Sequence, residues 1–324
     1  MTKIASLLTL SPVMLVCALY AAPAQARARV FVASYGNDAN PCTFLSPCKT
    51  FQQAVNVVDS GGEVTAIDSA GFGPISITKP VTITSPDGVE AGIVQNLGGD
   101  AIAIDTTGDV FLRGLTIEGE GKGTDGISLT GAAAGTVTTL GIVHCVIRHF
   151  THDGILLQPT GVLKLSILDT IASNNSNDGI DLAPSGNQGY IFGAIDRSNT
   201  DSNGAHGISV WGANEARGPS ANVTIVNSVS ANNGQNGVYA HTTETTAVVQ
   251  VMVRDTAASN NGSAGFQVDG GGDSIMYFAR TVATANLYGI RITNGGAGLS
   301  YGDNNISGNY TQDVAGTPIS AGFN

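Results

Sequence analysis

The chain has 324 residues, of which 43 are glycine and only 12% are charged. Glycine is therefore about twice as frequent, and charge about half as frequent, as in an ordinary protein. A hydrophobic fraction of 42% excludes an intrinsically disordered chain, and the shortage of charged helix-forming residues excludes a coiled coil or a helical bundle. Abundant Gly, Asn, Thr, Val and Ile predict many short β-strands joined by tight turns.

The formal net charge is −11. An acidic surface repels a phosphate backbone, and no cluster of Lys or Arg offsets that repulsion. We therefore expect no nucleic-acid partner.

The first 26 residues have the pattern of an export signal. Lys3 supplies a positive charge, an apolar stretch covers residues 4–22, and Ala24 and Ala26 form a cleavage site of small residues. A membrane anchor is the alternative, but Pro12 and the small-residue site favour cleavage before Arg27. No later segment reaches the roughly 20 apolar residues of a membrane span. The expected location is secreted, either extracellular or periplasmic.

The cysteines fit an oxidising compartment. Cys17 leaves with the signal, and Cys42 and Cys48 bracket a short loop, so we predict a disulfide between them. A metal site there lacks a second pair of ligands. Cys145 lies between apolar residues, which favours a buried thiol without a catalytic role.

A short amphipathic helix is predicted over residues 50–58. Thr50 and Gln53 have the spacing of a capping box, and the apolar residues that follow fall on one face: Phe51, Ala54, Val55 and Val58. Such a helix would cover the open end of a stack of strands. We therefore divide the chain into a signal (1–26), a segment with the disulfide loop and cap helix (27–62), and the strand-rich remainder (63–324).

Short apolar strands follow at residues 75–77, 81–83, 101–104, 110–112 and 115–117. A repeat then begins, in which a glycine is followed by a strand of the type GI-x-L, at intervals of 24 to 30 residues. A constant strand with loops of varying length indicates a solenoid. The seven copies are residues 125–129, 153–157, 178–182, 206–210, 236–240, 264–268 and 288–292.

Two further registers accompany the repeat glycines. Four residues before five of them, asparagine prevails, and we assign to these positions the left-handed turn that Asn tolerates. They are Phe150, Asn175, Asn203, Asn233 and Asn261. Nine residues before the same glycines all side chains are small, which predicts a stacked column; these are Cys145, Thr170, Ser198, Ser228 and Thr256.

The GI-x-L strands, the asparagine turns and the segment PCKTFQQAV together resemble the right-handed β-helix superfamily of pectate lyases and polygalacturonases. The resemblance covers residues 30–324. It implies an all-β, right-handed parallel β-helix solenoid in one domain, with a short N-terminal capping helix. The superfamily includes lyases, hydrolases, epimerases, tailspikes and adhesins, so the fold alone does not select a function.

Residues at equal offsets in neighbouring coils form ladders about 4.8 Å apart. The position before each glycine begins with three carboxylates and a histidine: Asp125, Asp153, Asp178 and His206. Outward positions further along the strands carry more polar and aromatic groups, which suit an elongated polysaccharide. We assign substrate binding to Asp125, Asp181, Trp211, Tyr239, His241 and Arg291.

Three segments of the chain are similar to polygalacturonase motifs. They occur in the same order as in that family, one in each of three successive coils. The resemblance implies Asp153 and Asp178 as acid and base, with His206 supporting them. Two departures weaken it: Asn177 replaces one of a pair of Asp residues, and the expected R-I-K strand is represented only by Arg291, three coils away. The pectate lyase pattern instead implies calcium on Asp125, Asp153, Asp178 and Asp181, but lacks an Arg on the same face. No cofactor is expected, and calcium is the metal that the resemblance suggests.

A purely structural interpretation competes with these roles. Asp and Asn before Gly suit a turn for backbone reasons, and a carboxylate column can cap local amides. By the same reasoning His149 and His152 are solvated turn residues, and Trp211 is either a packing anchor or a sugar platform. The favoured function is a secreted protein that recognises an extracellular polysaccharide and, in its enzymatic form, cleaves it as a hydrolase or lyase. The alternative is a non-catalytic surface or adhesin-type solenoid.

Overall fold

The computed structural model describes residues 27–130, 132–213, 218–243, 246–270 and 273–322. The predicted export signal lies outside these residues. Strands are numbered β1 to β32 in chain order, and in the described residues they form three parallel sheets of twelve, ten and ten strands. The chain visits the three sheets in turn, so each coil adds one strand to each sheet. The molecule is therefore the parallel β-helix that the repeat predicts.

Sheet 1 runs from the N-terminal end of the described chain to its C-terminal end. Its strands are β1 (Arg29–Val32), β2 (Gly62–Ala66), β5 (Val81–Thr84), β8 (Val110–Arg113), β11 (Val137–Val143), β14 (Val162–Leu168), β17 (Tyr190–Asp196), β20 (Gly218–Val226), β23 (Ala247–Arg254), β26 (Ser274–Ala279), β29 (Ala297–Ser300) and β32 (Ile319–Ser320).

Sheet 2 contains the GI-x-L strands. Its members are β4 (Ile75–Ile77), β7 (Ile102–Ile104), β10 (Ile127–Leu129), β13 (Ile155–Leu157), β16 (Ile180–Leu182), β19 (Ile208–Trp211), β22 (Val238–His241), β25 (Ala264–Asp269), β28 (Tyr288–Thr293) and β31 (Gln312–Ala315).

Sheet 3 consists of short strands that precede sheet 2 in each coil. They are β3 (Ala70–Gly71), β6 (Ala91–Val94), β9 (Leu115–Glu118), β12 (Val146–Arg148), β15 (Ile171–Ser173), β18 (Asn199–Asp201), β21 (Val229–Ala231), β24 (Ala257–Ser259), β27 (Val282–Thr284) and β30 (Asn305–Ile306).

The register of sheet 2 is the one that the repeat predicts. Leu156 pairs with Ser128 on one side and with Asp181 on the other, and Tyr239 pairs with Ser209. The flanking apolar side chains point inward, where they join a continuous buried core. Because the side-chain period of a strand is two, this pairing aligns all the polar positions of sheet 2 on its outer face.

The repeat glycines mark places where successive coils touch. A Cβ atom on Gly179 would lie 2.7 Å from both Asn203 Nδ2 and the Gly207 carbonyl oxygen. A side chain at this position therefore could not be accommodated without moving the next coil.

The asparagine column has a different role from the predicted one. The positive φ angles belong to the preceding residues, such as Asn174 (56°) and Asn232 (56°). The predicted turn residues are instead buried, and each asparagine among them accepts the backbone N–H of its counterpart one coil earlier. Asn203 Oδ1 accepts from Asn175 N at 3.1 Å, and Asn233 Oδ1 accepts from Asn203 N at 3.0 Å. The amide side chain is selected because it both donates and accepts inside the stack.

The column of small side chains is confirmed. Thr170, Ser198 and Ser228 are all buried, and each hydroxyl lies at the backbone N–H of the preceding coil, at 3.2 Å between Ser198 N and Ser228 Oγ. Cys145 starts this column. Its thiol is buried, and burial raises its pKa to about 11 against the effect of nearby backbone hydrogen bonds. It is the inert core thiol that the sequence predicts.

The N-terminal end is closed by one helix, α1 (Phe51–Val57). Thr50 Oγ1 accepts the Gln53 N–H at 3.2 Å, as the capping pattern predicts, whereas the Thr50 N–H is bound by Asp38 Oδ1 at 2.9 Å. The apolar face of the helix is buried, and Phe51 packs on Phe72 with ring centroids 4.9 Å apart.

The disulfide between Cys42 and Cys48 is present, with Cα atoms 4.6 Å apart. It closes the loop that precedes the helix. No helix among the described residues is long and apolar enough to cross a membrane.

Candidate functional site

The outer face of sheet 2 contains most of the residues that the sequence selects. On the strands β13 to β25 this face is largely covered: Leu156, Ser209, Tyr239 and Gln267 are all buried. Asp181, Trp211 and Arg291 are half-buried and remain accessible. The polar groups therefore pack against one another, and only some of them face solvent.

In the column before the repeat glycines, each carboxylate accepts a backbone N–H from the next coil. Asp125 Oδ1 accepts the Asp153 N–H at 2.9 Å, Asp153 Oδ1 accepts the Asp178 N–H at 2.9 Å, and Asp178 Oδ1 accepts the His206 N–H at 2.7 Å. Asn236 continues the series one coil further, since its Oδ1 accepts the Ala264 N–H. The capping interpretation of this column is thus confirmed for one oxygen of each carboxylate.

Asp153 is fully buried. Its Oδ1 also accepts from Asn177 Nδ2 at 2.8 Å, while its Oδ2 has no hydrogen-bond partner in the structure. Burial raises the pKa of Asp153 to about 6, and the charge of Asp178 adds to this, whereas the Asp178 backbone amide and His152 oppose it. The carboxyl of Asp153 therefore has a raised pKa, but its burial prevents contact with a substrate in this arrangement.

Asp178 and Asp181 meet at the hydroxyl of Ser209. Ser209 Oγ lies 2.6 Å from Asp178 Oδ2 and 2.7 Å from Asp181 Oδ1. A serine hydroxyl has a single proton and can donate to only one of them. Both contacts are hydrogen bonds only when one of the two carboxyls carries a proton.

The raised pKa of Asp181 favours this carboxyl as the one that carries the proton. Burial raises its pKa to about 7; the hydrogen bond with Ser209 opposes this, and the charges of Asp153 and Asp178 reinforce it. Near neutral pH, Asp181 is therefore partly protonated and accessible from solvent, whereas Asp178 is only 4% exposed. Among these carboxyls, Asp181 is the one placed to give a proton to a bound molecule.

His206 is buried beside this group. Burial lowers its pKa, although Asp178 opposes the shift, and its Nδ1 lies 3.3 Å from the Asn236 N–H. An Nδ1 that accepts a hydrogen bond belongs to a neutral imidazole with its proton on Nε2. The ring stacks on Tyr239 at a centroid distance of 4.7 Å.

An aromatic cluster adjoins the carboxyls. Trp211 contacts the ring of Tyr239 edge-on at 5.5 Å and that of His241 at 4.9 Å, and Tyr239 and His241 stack at 5.4 Å. Tyr239 donates its hydroxyl to Asp269 Oδ2 at 3.1 Å. His241 Nδ1 lies 3.4 Å from the same oxygen, but the two are poorly aligned and form no hydrogen bond.

Arg291 lies beyond this cluster, on the second strand after Tyr239. Its guanidinium lies over the ring of Tyr288, 5.0 Å from the centroid. Its positive charge acts on the hydroxyl of Tyr239, whose pKa burial and Asp269 together raise. The face thus ends in a cation held by an aromatic ring.

The structure brings Asp125, Asp153, Asp178 and Asp181 into one network with His206, and it joins Trp211, Tyr239 and His241 in a second cluster. Sequence reasoning missed Ser209, which occupies the outward ladder between Asp181 and Tyr239. His152 is about half exposed, as predicted for a solvated turn residue, but sequence reasoning missed that its Nδ1 lies 2.8 Å from Asp125 Oδ1. The position of His152 directly before Asp153 was the available signal.

The carboxylate oxygens of this network are largely engaged in other contacts, which bears on calcium binding. Calcium takes six to eight oxygen ligands. Here one oxygen each of Asp125, Asp153 and Asp178 is used by a backbone amide, and a histidine nitrogen lies between the first two. The described carboxylates thus provide fewer free oxygens than such a site needs.

Comparison with known proteins agrees with the fold. The chain is similar to a pectate lyase described as Pel9A, with 15% identity over 84% of this chain and 74% of that one, at a TM-score of 0.60. It is also similar to the A-module of mannuronan C-5 epimerase AlgE4 from Azotobacter vinelandii, with 15% identity over 81% and 91% of the chains and a TM-score of 0.51. No curated protein matches the chain.

A family model described as "Right handed beta helix region" matches residues 88–250 and, in a second overlapping match, residues 153–322. The two matches together cover most of the chain and all but the first coils. The chain therefore belongs to the family of right-handed β-helix proteins.

Proposed function

We propose that this protein is secreted and binds an extracellular polysaccharide on the outer face of sheet 2. The observation that carries the proposal is the cluster of Trp211, Tyr239 and His241 beside the carboxyls of Asp181 and Asp269. Trp211 and Asp181 are half-buried, so both remain open to a ligand. The similarity to a pectate lyase and to a mannuronan epimerase supports this choice of ligand class.

The chemistry of the face suits a sugar chain. Aromatic rings present an apolar surface to the C–H groups of a pyranose, and carboxyl and amide groups bond its hydroxyls. The strands repeat about every 4.8 Å, so successive coils offer equivalent contacts along an extended polymer. Arg291 lies at one end of this face and is half-buried, which adds a cation for a sugar that carries a carboxylate.

The binding test is the substitution Trp211→Ala. We expect weaker binding to one member of a panel of uronic and neutral polysaccharides, measured by affinity electrophoresis and calorimetry. Tyr190→Ala is the matched control, because Tyr190 also stacks on an aromatic neighbour, Phe192, but lies on sheet 1. Equal binding by the wild type and both variants, or equal loss in both, would refute this binding face.

Glycosidic-bond cleavage is a second candidate function, favoured by the raised pKa of Asp181. Asp153 and Asp178, with His206, remain the residues that the polygalacturonase resemblance assigns to catalysis. Their burial argues that Asp153 and Asp178 do not contact substrate directly. In the hydrolysis we favour, Asp181 donates the proton to the leaving oxygen, water adds to the anomeric carbon, and the proton that this water releases returns to Asp181. Asp178 and Ser209 hold the Asp181 carboxyl in place.

Cleavage is tested by reducing-sugar release and by the absorbance of unsaturated products over the same polysaccharide panel. Asp181→Asn should abolish activity, because an amide cannot supply the proton. Asp201→Asn is the control, since Asp201 is a half-buried carboxylate on sheet 3. If the wild type binds a polysaccharide and releases no product, the non-catalytic surface or adhesin-type alternative is favoured instead.

A further inference from the structure

Three side chains from two coils converge at the N-terminal edge of β10 and β13. Asp125, His152 and Asp153 each offer one ligand atom, and these atoms all lie within 4.8 Å of one another. His152 Nδ1 is 2.8 Å from Asp125 Oδ1 and 3.2 Å from Asp153 Oδ2. Neither the favoured fold nor the proposed sugar-binding face requires this convergence.

Asp153 Oδ2 distinguishes this cluster from an ordinary group of acidic residues. The side chain is 0% exposed, and Oδ2 accepts no hydrogen bond in the structure. An unsatisfied buried carboxylate oxygen is costly. His152 Nδ1 lies 3.2 Å from Oδ2 but closer, at 2.8 Å, to Asp125 Oδ1. The lone pairs of Oδ2 are therefore available to a ligand.

The chemistry of these three side chains indicates which kind of ligand they would bind. Two carboxylates and a neutral imidazole together carry the charge that a divalent cation neutralises. Around a tetrahedral ion with bonds of roughly 2.0–2.2 Å, neighbouring ligand atoms lie about 3.3 to 3.6 Å apart, close to the 3.2 Å between His152 Nδ1 and Asp153 Oδ2. Imidazole nitrogen suits Zn²⁺ and similar ions, whereas Ca²⁺ prefers oxygen alone.

We propose that Asp125, His152 and Asp153 form a binding site for one divalent transition-metal ion, with Zn²⁺ as its simplest occupant. Asp153 Oδ2 and His152 Nδ1 are its central ligands, and Asp125 completes the protein donors. His152 is about half exposed, with 48% of its side chain accessible, so the ion reaches the site from solvent and keeps water in its remaining positions. Three protein ligands with an open position are common in accessible zinc sites.

The site would tie together two coils of sheet 2. Asp125 precedes β10, and His152 and Asp153 precede β13, so an ion bound by all three links strands that are neighbours in the sheet. Binding to the folded chain alone raises its stability by mass action. Zinc should therefore raise the melting temperature of the protein as well as bind to it.

The test is calorimetric titration of the chelator-treated protein with ZnCl₂, together with thermal unfolding in the presence and absence of the salt. We expect one ion per chain, and His152→Ala should weaken the affinity at least about tenfold, as loss of a metal-site residue does. His149→Ala is the matched control. His149 is equally exposed and also pairs with a carboxylate, Glu118, but lies outside the cluster.

Titration with CoCl₂ gives an independent readout, because a histidine nitrogen in the coordination sphere changes the visible absorption of the ion. The wild-type spectrum should be lost in His152→Ala and kept in His149→Ala. Calcium chloride should bind more weakly than zinc. Zinc affinity that is absent in the wild type, unchanged in His152→Ala, or reduced equally in both variants would overturn the proposal. His152 is exposed, so its loss should leave the fold intact, which circular dichroism verifies.

Discussion

Asn233 uses every polar atom of its side chain inside the stack. Its Oδ1 accepts from the backbone and side chain of Asn203 at 3.0 and 3.1 Å, and the two protons of its Nδ2 face three acceptors, on Thr200, Ser230 and Asn261. The sequence identified the column of asparagines but assigned it to left-handed turns. That error was unavoidable, because an Asn side chain suits both roles and only the neighbouring coil distinguishes them.

Asn233→Ala should destabilise the protein by about 2–3 kcal/mol, because it leaves buried donors and acceptors without partners. The free energy of unfolding in urea measures the effect. Asn232→Gly is the control: Asn232 has a φ of 56°, which glycine adopts without strain. An equal or smaller loss in Asn233→Ala than in Asn232→Gly would contradict the role of the buried column.

Asp181 makes stability depend on pH in a defined direction. Its pKa rises from 3.8 to about 7 in the folded protein, mainly through burial. Between these values the folded chain retains a proton that the unfolded chain has lost, so its contribution to stability falls as pH rises through this window. The amide of Asp181→Asn stays neutral throughout.

The melting temperature of Asp181→Asn relative to the wild type should therefore increase between about pH 4 and about pH 8. Thermal unfolding across this range, with Asp201→Asn as a reference, measures the difference. A constant difference would mean that folding does not raise the pKa of Asp181.

At the scale of elements, the strands of sheet 2 could be predicted closely, and so could the cap helix. The period of the GI-x-L segments defined the register, and Thr50 with Gln53 defined the start of α1. The partner of the Thr50 N–H could not be predicted, because Asp38 lies twelve residues earlier in an irregular loop. Contacts of this kind depend on the loop conformation, which no periodicity encodes.

Thr50→Ala should cost about 1 kcal/mol, the usual value of a lost N-cap. The Thr50 hydroxyl accepts the Gln53 N–H and donates to Asp38 Oδ2 at 3.0 Å. Thr50→Ser keeps the hydroxyl and should retain most of the stability in urea unfolding. If both variants lost the same amount, the methyl group rather than the cap would be responsible.

At the scale of the whole molecule, the predicted export signal and the disulfide are both features expected of a secreted protein. A chain expressed with residues 1–26 in a bacterium that has a periplasm should be found there, starting at Arg27 and containing the Cys42–Cys48 bond. Mass spectrometry of the intact protein before and after reduction measures both features. Ala26→Phe should block cleavage, because the signal requires small residues at that position. An uncleaved wild-type chain in the cytoplasm would contradict the predicted location.

The sequence by itself determined the solenoid, its family, the register of sheet 2 and the grouping of Asp125, Asp153 and Asp178, because all of these follow from residues that recur at nearly constant intervals. Only the tertiary structure decided what each polar atom does. Ser209 joins Asp178 to Asp181, and His152 turns toward Asp125, through contacts between coils that lie about one repeat apart in sequence. The direction of a side chain, its burial and the pKa that results depend on packing across that interval, which the order of residues does not show.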